Sequence, residues 1–128
     1  MNSEALEKWH RLVTDKDPGG LDSILADEAI FHSPVVHTPQ VGKNITKTYL
    51  AAAFHVLFND TFRYVREIVA EREAVLEFVV SLDDVVVNGV DIITWNESNL
   101  IIDFKVMIRP LKAINIVRER MMKELQKA

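Results

Sequence analysis

Apolar positions along the chain follow two periods, helical before Phe62, alternating from there to Arg109, and helical again at the end. In residues 3 to 14, Leu6, Trp9, Leu12 and Val13 recur at helical spacing behind Ser3, a good N-terminal cap, and Asp17-Pro18-Gly19-Gly20 closes the run. A first helix is predicted there. Asp22 to Ala26 reads as a second, short helix, and Ala29 to Ser33 as a short strand ended by Pro34. Pro39 and Gly42 bracket a loop before a third helix from Lys43 to Phe58, with Ile45, Tyr49, Ala52, Ala53 and Val56 on its apolar face.

Beyond it, Phe62 to Val69, Ala74 to Leu82, Val85 to Trp95 and Leu100 to Arg109 are rich in Val, Ile and Phe. Turn signals at Glu71-Arg72-Glu73, Asp83-Asp84 and Asn96-Glu97-Ser98-Asn99 separate them, which predicts an antiparallel meander. Helical spacing returns at Leu111, Ile114, Val117 and Met121 behind Pro110, a residue suited to a helix start. Helices first and a sheet afterwards make an α+β fold with the sheet wrapped around the helices. At 128 residues, with no repeat, linker or low-complexity tract, the chain fits one domain.

Strand alternation assigns the faces. If Asp91 points inward, Ile93 and Trp95 share its face, joined by Phe78, Val80 and Leu82 from one neighbour and Phe104, Val106 and Ile108 from the last strand. The result is an apolar wall carrying one acid. Glu77, Asp103, Lys105 and Met107 then face away. Val75, Val79 and Met107 make that second face apolar too, and a homodimer is the simplest cover for it.

A net charge of -4 argues against a general nucleic-acid binder. Arg109, Lys112, Arg118, Arg120, Lys123 and Lys127 gather near the end, but Glu119 and Glu124 interrupt them, and they read as a solvated helix face. Without cysteine there is no disulfide and no thiolate chemistry. Glu4 and Glu7 interrupt the stretch a signal peptide needs, and no window has the length and apolarity to span a membrane, so a cytoplasmic protein is expected.

The densest chemistry lies in FHSPVVHTPQVGKNI, residues 31 to 45. Its plain reading is a strand, a proline-stiffened bend and a glycine-marked helix start; its chemical content is Ser33 and His37. His37 and, late in the third helix, His55 have the titration range for proton transfer at a pocket mouth, against the plainer reading that they bond backbone or water. No histidine pair shows helical ligand spacing, so neither a metal nor another cofactor is expected. Trp9 and Trp95 are candidates to stack on a flat ligand or to fill core. Tyr49 either offers a phenolic donor to the cavity or turns its hydroxyl to water.

The order of elements, with LDSILADEAIFHSPV, GKNITKTYL and VNGVDIITWNESNLIIDFKVMIRPL, resembles the SnoaL-like branch of the nuclear transport factor 2-like superfamily, end to end. The resemblance implies a cone-shaped α+β barrel with an apolar pocket, usually dimeric, in a group that includes ketosteroid isomerases, polyketide cyclases, hydrolases, dehydratases and non-catalytic proteins. Laid on the isomerases, Ser33 falls where their carboxylate base stands, Trp9 or Leu12 falls near their tyrosine, and only Asp91 matches their oxyanion-stabilising acid. Isomerisation by that mechanism is therefore not expected. Two classes stay open: an enzyme acting on a small apolar carbonyl, epoxide or hydroxy compound through Asp91 and a histidine, or a ligand-binding or dimerising module without turnover. Asp91 itself has an alternative, exposure at a turn begun by Gly89 or capping of nearby amides.

Overall fold

The computed structural model describes residues 3–127. Helix α1 (Glu4–Asp15) is capped by Ser3, whose hydroxyl accepts from the Leu6 amide, and it buries Ala5, Leu6 and Trp9. A 3-10 turn (Pro18–Gly20) leads into the single-turn α2 (Leu21–Ile24), then β1 (Leu25–His32), β2 (Gln40–Val41) and α3 (Lys43–Leu57). Strands β3 (Arg63–Val69), β4 (Glu73–Leu82), β5 (Val85–Trp95) and β6 (Ile101–Arg109) follow, and α4 (Leu111–Gln126) ends the fold.

All six strands form one open sheet in the order β2-β1-β6-β5-β4-β3. The meander β3 to β6 is antiparallel, while β1 lies parallel to β6. Alternation is clean where the strands are long: Ala74, Leu76, Phe78, Val80 and Leu82 of β4 are all buried, as are Val87, Ile93 and Trp95 of β5. That inner face packs on Trp9 of α1 and on Leu50, Phe54 and Leu57 of α3.

Several boundaries differ from those the sequence predicts. Strand β1 begins four residues earlier than Ala29, because Leu25 and Ala26 are buried beneath the helices and its register against β6 slips between Leu25 and Ile30. On α3 Ala52 and Val56 are buried as expected, together with Thr46, Leu50, Phe54 and Leu57, while Tyr49 and Ala53 are half-buried and Ile45 is exposed. Thr46 takes an inward position because its hydroxyl donates to the carbonyl of Ala29 at 3.1 Å. On α4 the buried residues are Ala113 and Val117, and Leu111 is exposed.

Gly89 occupies an inner position of β5 opposite Phe78 and Ile108. A Cβ there would lie 2.4 Å from the Phe78 ring and 2.8 Å from the Met107 carbonyl oxygen, so the missing side chain is what lets the ring lie flat on the sheet. Gly89→Val is expected to destabilise the fold by about 1–3 kcal/mol through overpacking. Urea unfolding of the variant measures it; an unchanged midpoint would mean that the Phe78 ring moves aside freely.

Candidate ligand-binding site

Asp91 lies mid-strand on the inner face of β5, between Leu76 of β4 and Val106 of β6, and keeps only 5% of its surface exposed. Its partner is Tyr64, whose hydroxyl donates to Asp91 Oδ2 at 2.6 Å. The Trp9 indole Nε1 in turn donates to Tyr64 Oη at 3.0 Å. An indole N–H only donates, so the relay runs from Trp9 through Tyr64 to Asp91. Burial raises the Asp91 carboxyl from 3.8 to about 7, against the pull of the Tyr64 hydrogen bond. Burial and the adjacent carboxyl also push the Tyr64 phenol well above its ordinary 10, so it remains a donor.

Asp91 Oδ1 has no hydrogen-bond partner among the described residues. None of their fully buried side-chain polar atoms is left without a partner, so the residual exposure of Asp91 includes this oxygen. With Oδ2 occupied by the phenol proton, a neutral Asp91 carries its own proton on Oδ1.

Tyr64 is the residue that sequence reasoning misses. Trp9 does not stand in for a phenol on α1; it supports a phenol that arrives from β3. Plain alternation would put Tyr64 on one face with Arg66 and Ile68, but a bulge between Tyr64 and Arg66 breaks the parity. Tyr64 then faces inward opposite Phe78, and Arg66 faces outward opposite Glu77. The His10 ring packs edge-on against Tyr64 at 5.5 Å and bonds Glu67 at 2.7 Å.

A cavity of about 160 Å³ lies between β1, β6, α3 and α4. Its walls are apolar, built from Phe31, Tyr49, Ala53, Leu57, Val106 and Val117. The Phe31 and Tyr49 rings stack at 5.5 Å. Exposed Val36, Arg118 and Met122 line its outer part. Ser33 also lines it, with Oγ accepting from the amides of Val35 and Val36 at 3.0 and 3.3 Å.

Of the residues the sequence assigns to a pocket, Ser33, Tyr49, Val106 and Ile108 line this cavity. Trp9, Phe78, Phe104 and Trp95 do not; they fill core. Trp9 meets the Phe54 and Phe104 rings at 5.5 and 4.9 Å. Trp95 sits at the far end of β5, its amide bonded to the Arg72 carbonyl. His37 is exposed on the loop before β2, and His55 is exposed on α3 beside a separate cleft with Asp22 and Lys47. Neither lines the cavity, because Phe54 takes the inward direction next to His55 and the Ser33 turn carries His37 outward. His32 bonds Asp103 at 2.9 Å on the other face of the sheet. Among the described residues no group of three His, Asp or Glu side chains has metal-binding proximity.

The inner row that crosses β6 and β5 connects cavity and acid. Val106 pairs with Asp91, and His32 pairs with Lys105, so Ser33 follows beside Val106. Ser33 and Asp91 are thus separated by two inter-strand steps, roughly 10 Å.

Residues 6–104 match the family model of the SnoaL-like domain. The chain belongs to the SnoaL-like family. Among solved structures, it is similar to a steroid delta-isomerase from Pseudomonas aeruginosa, with 31% identity and a TM-score of 0.91 over 96% of this chain and 90% of that one. It is also similar to a bacterial protein of cystatin-like fold from Silicibacter pomeroyi, with 28% identity and a TM-score of 0.85 over 94% of this chain and 84% of the other. An epoxide hydrolase/cyclase-like enzyme of salinomycin pyran-ring formation shares the fold at 14% identity and a TM-score of 0.65, over 83% and 88% of the two chains. No curated protein sequence matches significantly. The SnoaL-like, nuclear transport factor 2-like architecture, a six-stranded sheet around helices, is thus established by matched sequence and matched coordinates together. Among the described residues no helix is long and apolar enough to cross a membrane.

The raised Asp91 carboxyl gives stability a definite pH dependence. Between 3.8 and about 7 the folded chain holds a proton that the unfolded chain has released, so this group's contribution falls as pH rises through that window and is flat beyond it. Asp91→Asn keeps an acceptor for Tyr64 and removes the titration. The wild-type stability minus that of Asp91→Asn is expected to drop by up to a few kcal/mol between about pH 4 and pH 8. Urea denaturation at both pH values reads it; a difference that stays constant would mean that Asp91 is ionised throughout.

Proposed function

We propose that the protein binds a compact apolar organic molecule, about one ring in size, in the cavity between α3 and α4, without the proton transfer of a steroid isomerase. The cavity itself carries this reading: a dry apolar space of about 150 Å³ holds one benzene, and this one is about 160 Å³. Four fused steroid rings exceed it. Its wall includes Ser33, which the family resemblance sets against the isomerases' carboxylate base, and an unactivated hydroxyl is too weak a base for carbon acids. Similarity to a steroid delta-isomerase supports the location of the site more than the reaction.

One observation favours a second reading with turnover. Asp91 Oδ1 has no partner among the described residues, and Asp91 is one strand away from the cavity wall at Val106. A neutral acid so placed would donate to the oxygen of a carbonyl, epoxide or hydroxy compound if Val106 yields. Conversion of such a compound, lost in Asp91→Asn, would support it.

Thermal-shift titration with cyclohexanol, phenol and a 5-ene-3-ketosteroid tests the first reading. The one-ring compounds are expected to raise Tm with concentration, and Ala53→Phe, which fills the space, to abolish the effect while circular dichroism stays native. The steroid should neither bind nor isomerise. Efficient steroid isomerisation would refute the assignment.

We further propose a homodimer through the outer sheet face, supported by exposed Ile68, Val86 and Met107 on β3, β5 and β6. Its interface is expected to exceed about 1,200 Å² in total. Sedimentation at micromolar concentration should show the dimer; monomer alone would exclude it.

A further inference from the structure

The few polar groups on the cavity share a property. Ser33 Oγ already accepts from two amides, which leaves its hydroxyl proton to offer. Tyr49 lines the wall as a half-buried phenol with no protein partner for its hydroxyl among the described residues. Arg118, on the cavity side of α4, is the one charged lining residue, and no carboxylate lines the space with it.

Arg118 also differs from its neighbours along α4. Arg120 pairs with Asp83, Lys123 with Glu119 and Lys127 with Glu124. Arg118 and Lys112 have no acidic partner among the described residues, and of the two only Arg118 lines the cavity. A guanidinium on a helix can rest its stem on apolar surface with its head in water, and Met121 and Met122 beside it would allow that. Stem packing does not account for a cavity whose polar complement consists of donors with a positive charge. That set matches a ligand rich in acceptors and negatively charged, and the planar guanidinium fork fits a carboxylate.

We propose that the ligand is a compact monocarboxylic acid, with its apolar body against Phe31, Ala53, Leu57 and Val106 and its carboxylate on Arg118. This rests on the cavity being the ligand site and deepens that reading by naming the ligand's charge. At the exposed rim the pair is partly screened by water, so the apolar walls hold the body and select for shape while Arg118 selects for charge.

Isothermal calorimetry with cyclohexanecarboxylate and its neutral isostere cyclohexanecarboxamide tests the proposal on the wild type, Arg118→Gln, Arg118→Met and Ala53→Phe. The wild type is expected to favour the carboxylate by about tenfold or more, the scale of one hydrogen bond to a charged group. Arg118→Gln and Arg118→Met should lose that preference while keeping affinity for the amide, since exposed Arg118 is not part of the core. Ala53→Phe should weaken both compounds. Equal wild-type affinity for the two, or a preference that survives in both Arg118 variants, would overturn the carboxylate proposal; amide binding sensitive to Ala53→Phe would leave the cavity reading standing. Failure of both compounds to bind the wild type would overturn the two readings together.

Discussion

A carboxyl group in the apolar interior of a sheet requires a partner, and the pairing of Asp91 constrains much of the structure around it. The residues paired directly with Asp91, Leu76 on β4 and Val106 on β6, are aliphatic and offer it no hydrogen bond, so the partner has to come from beyond the adjacent strands. Tyr64 supplies it from edge strand β3, and a bulge delivers the phenol inward while Arg66 still meets Glu77 outside. Trp9 then bonds the phenol and packs against Phe54 and Phe104. Three side chains tie α1, β3 and β5 into one unit. Loss of Tyr64 would leave a buried polar group unpaired, a cost of about 1–3 kcal/mol before any packing loss.

The same pairing bears on the sheet's edge. An edge strand exposes unpaired backbone groups, and β3 is mostly exposed along its length. Its bulge interrupts the regular template, and the aromatic series Phe58, Phe62, Tyr64 and Phe78, with ring centroids about 5 Å apart at Phe58–Phe62 and Phe62–Tyr64, anchors its start to the core. One local irregularity thus orients a hydroxyl and secures a strand that has a neighbour on only one side.

The parts of this fold legible in the sequence are those where a single period holds over many residues. Strands β4 and β5 alternate without a break, so the inward set Phe78, Val80 and Leu82, and Asp91, Ile93 and Trp95, follows from parity alone. Parity fails where a bulge intervenes, which is why Tyr64 is hidden: seven residues of mixed polarity carry no sign of an inserted position. Helix α3 defeats the periodic reading differently, because it packs on the sheet with one flank and borders the α4 cavity with another. Thr46 looks polar yet is fully buried by its bond to Ala29, and Ile45 looks apolar yet is exposed. At the site, alternation assigns a face but not a depth along it. Phe104 and Val106 share the inner face of β6, but only Val106 reaches the cavity, since Trp9 and Phe31 cover Phe104.

That depth separates the acid from the space a ligand would occupy, and the protonation of Asp91 links them. Two like charges about 10 Å apart repel by roughly 1.7 kcal/mol at an effective dielectric near 20. An ionised Asp91 would oppose an anion in the cavity by an amount on that scale, reduced as the anion sits nearer the mouth. Because burial, acting against the pull of the Tyr64 hydrogen bond, holds the carboxyl mostly neutral below about pH 7, the inner row carries little negative charge there, and Arg118 is left as the dominant charge facing the cavity. Burial that disfavours ionisation at Asp91 therefore also favours an anionic guest, and the two features belong to one electrostatic arrangement.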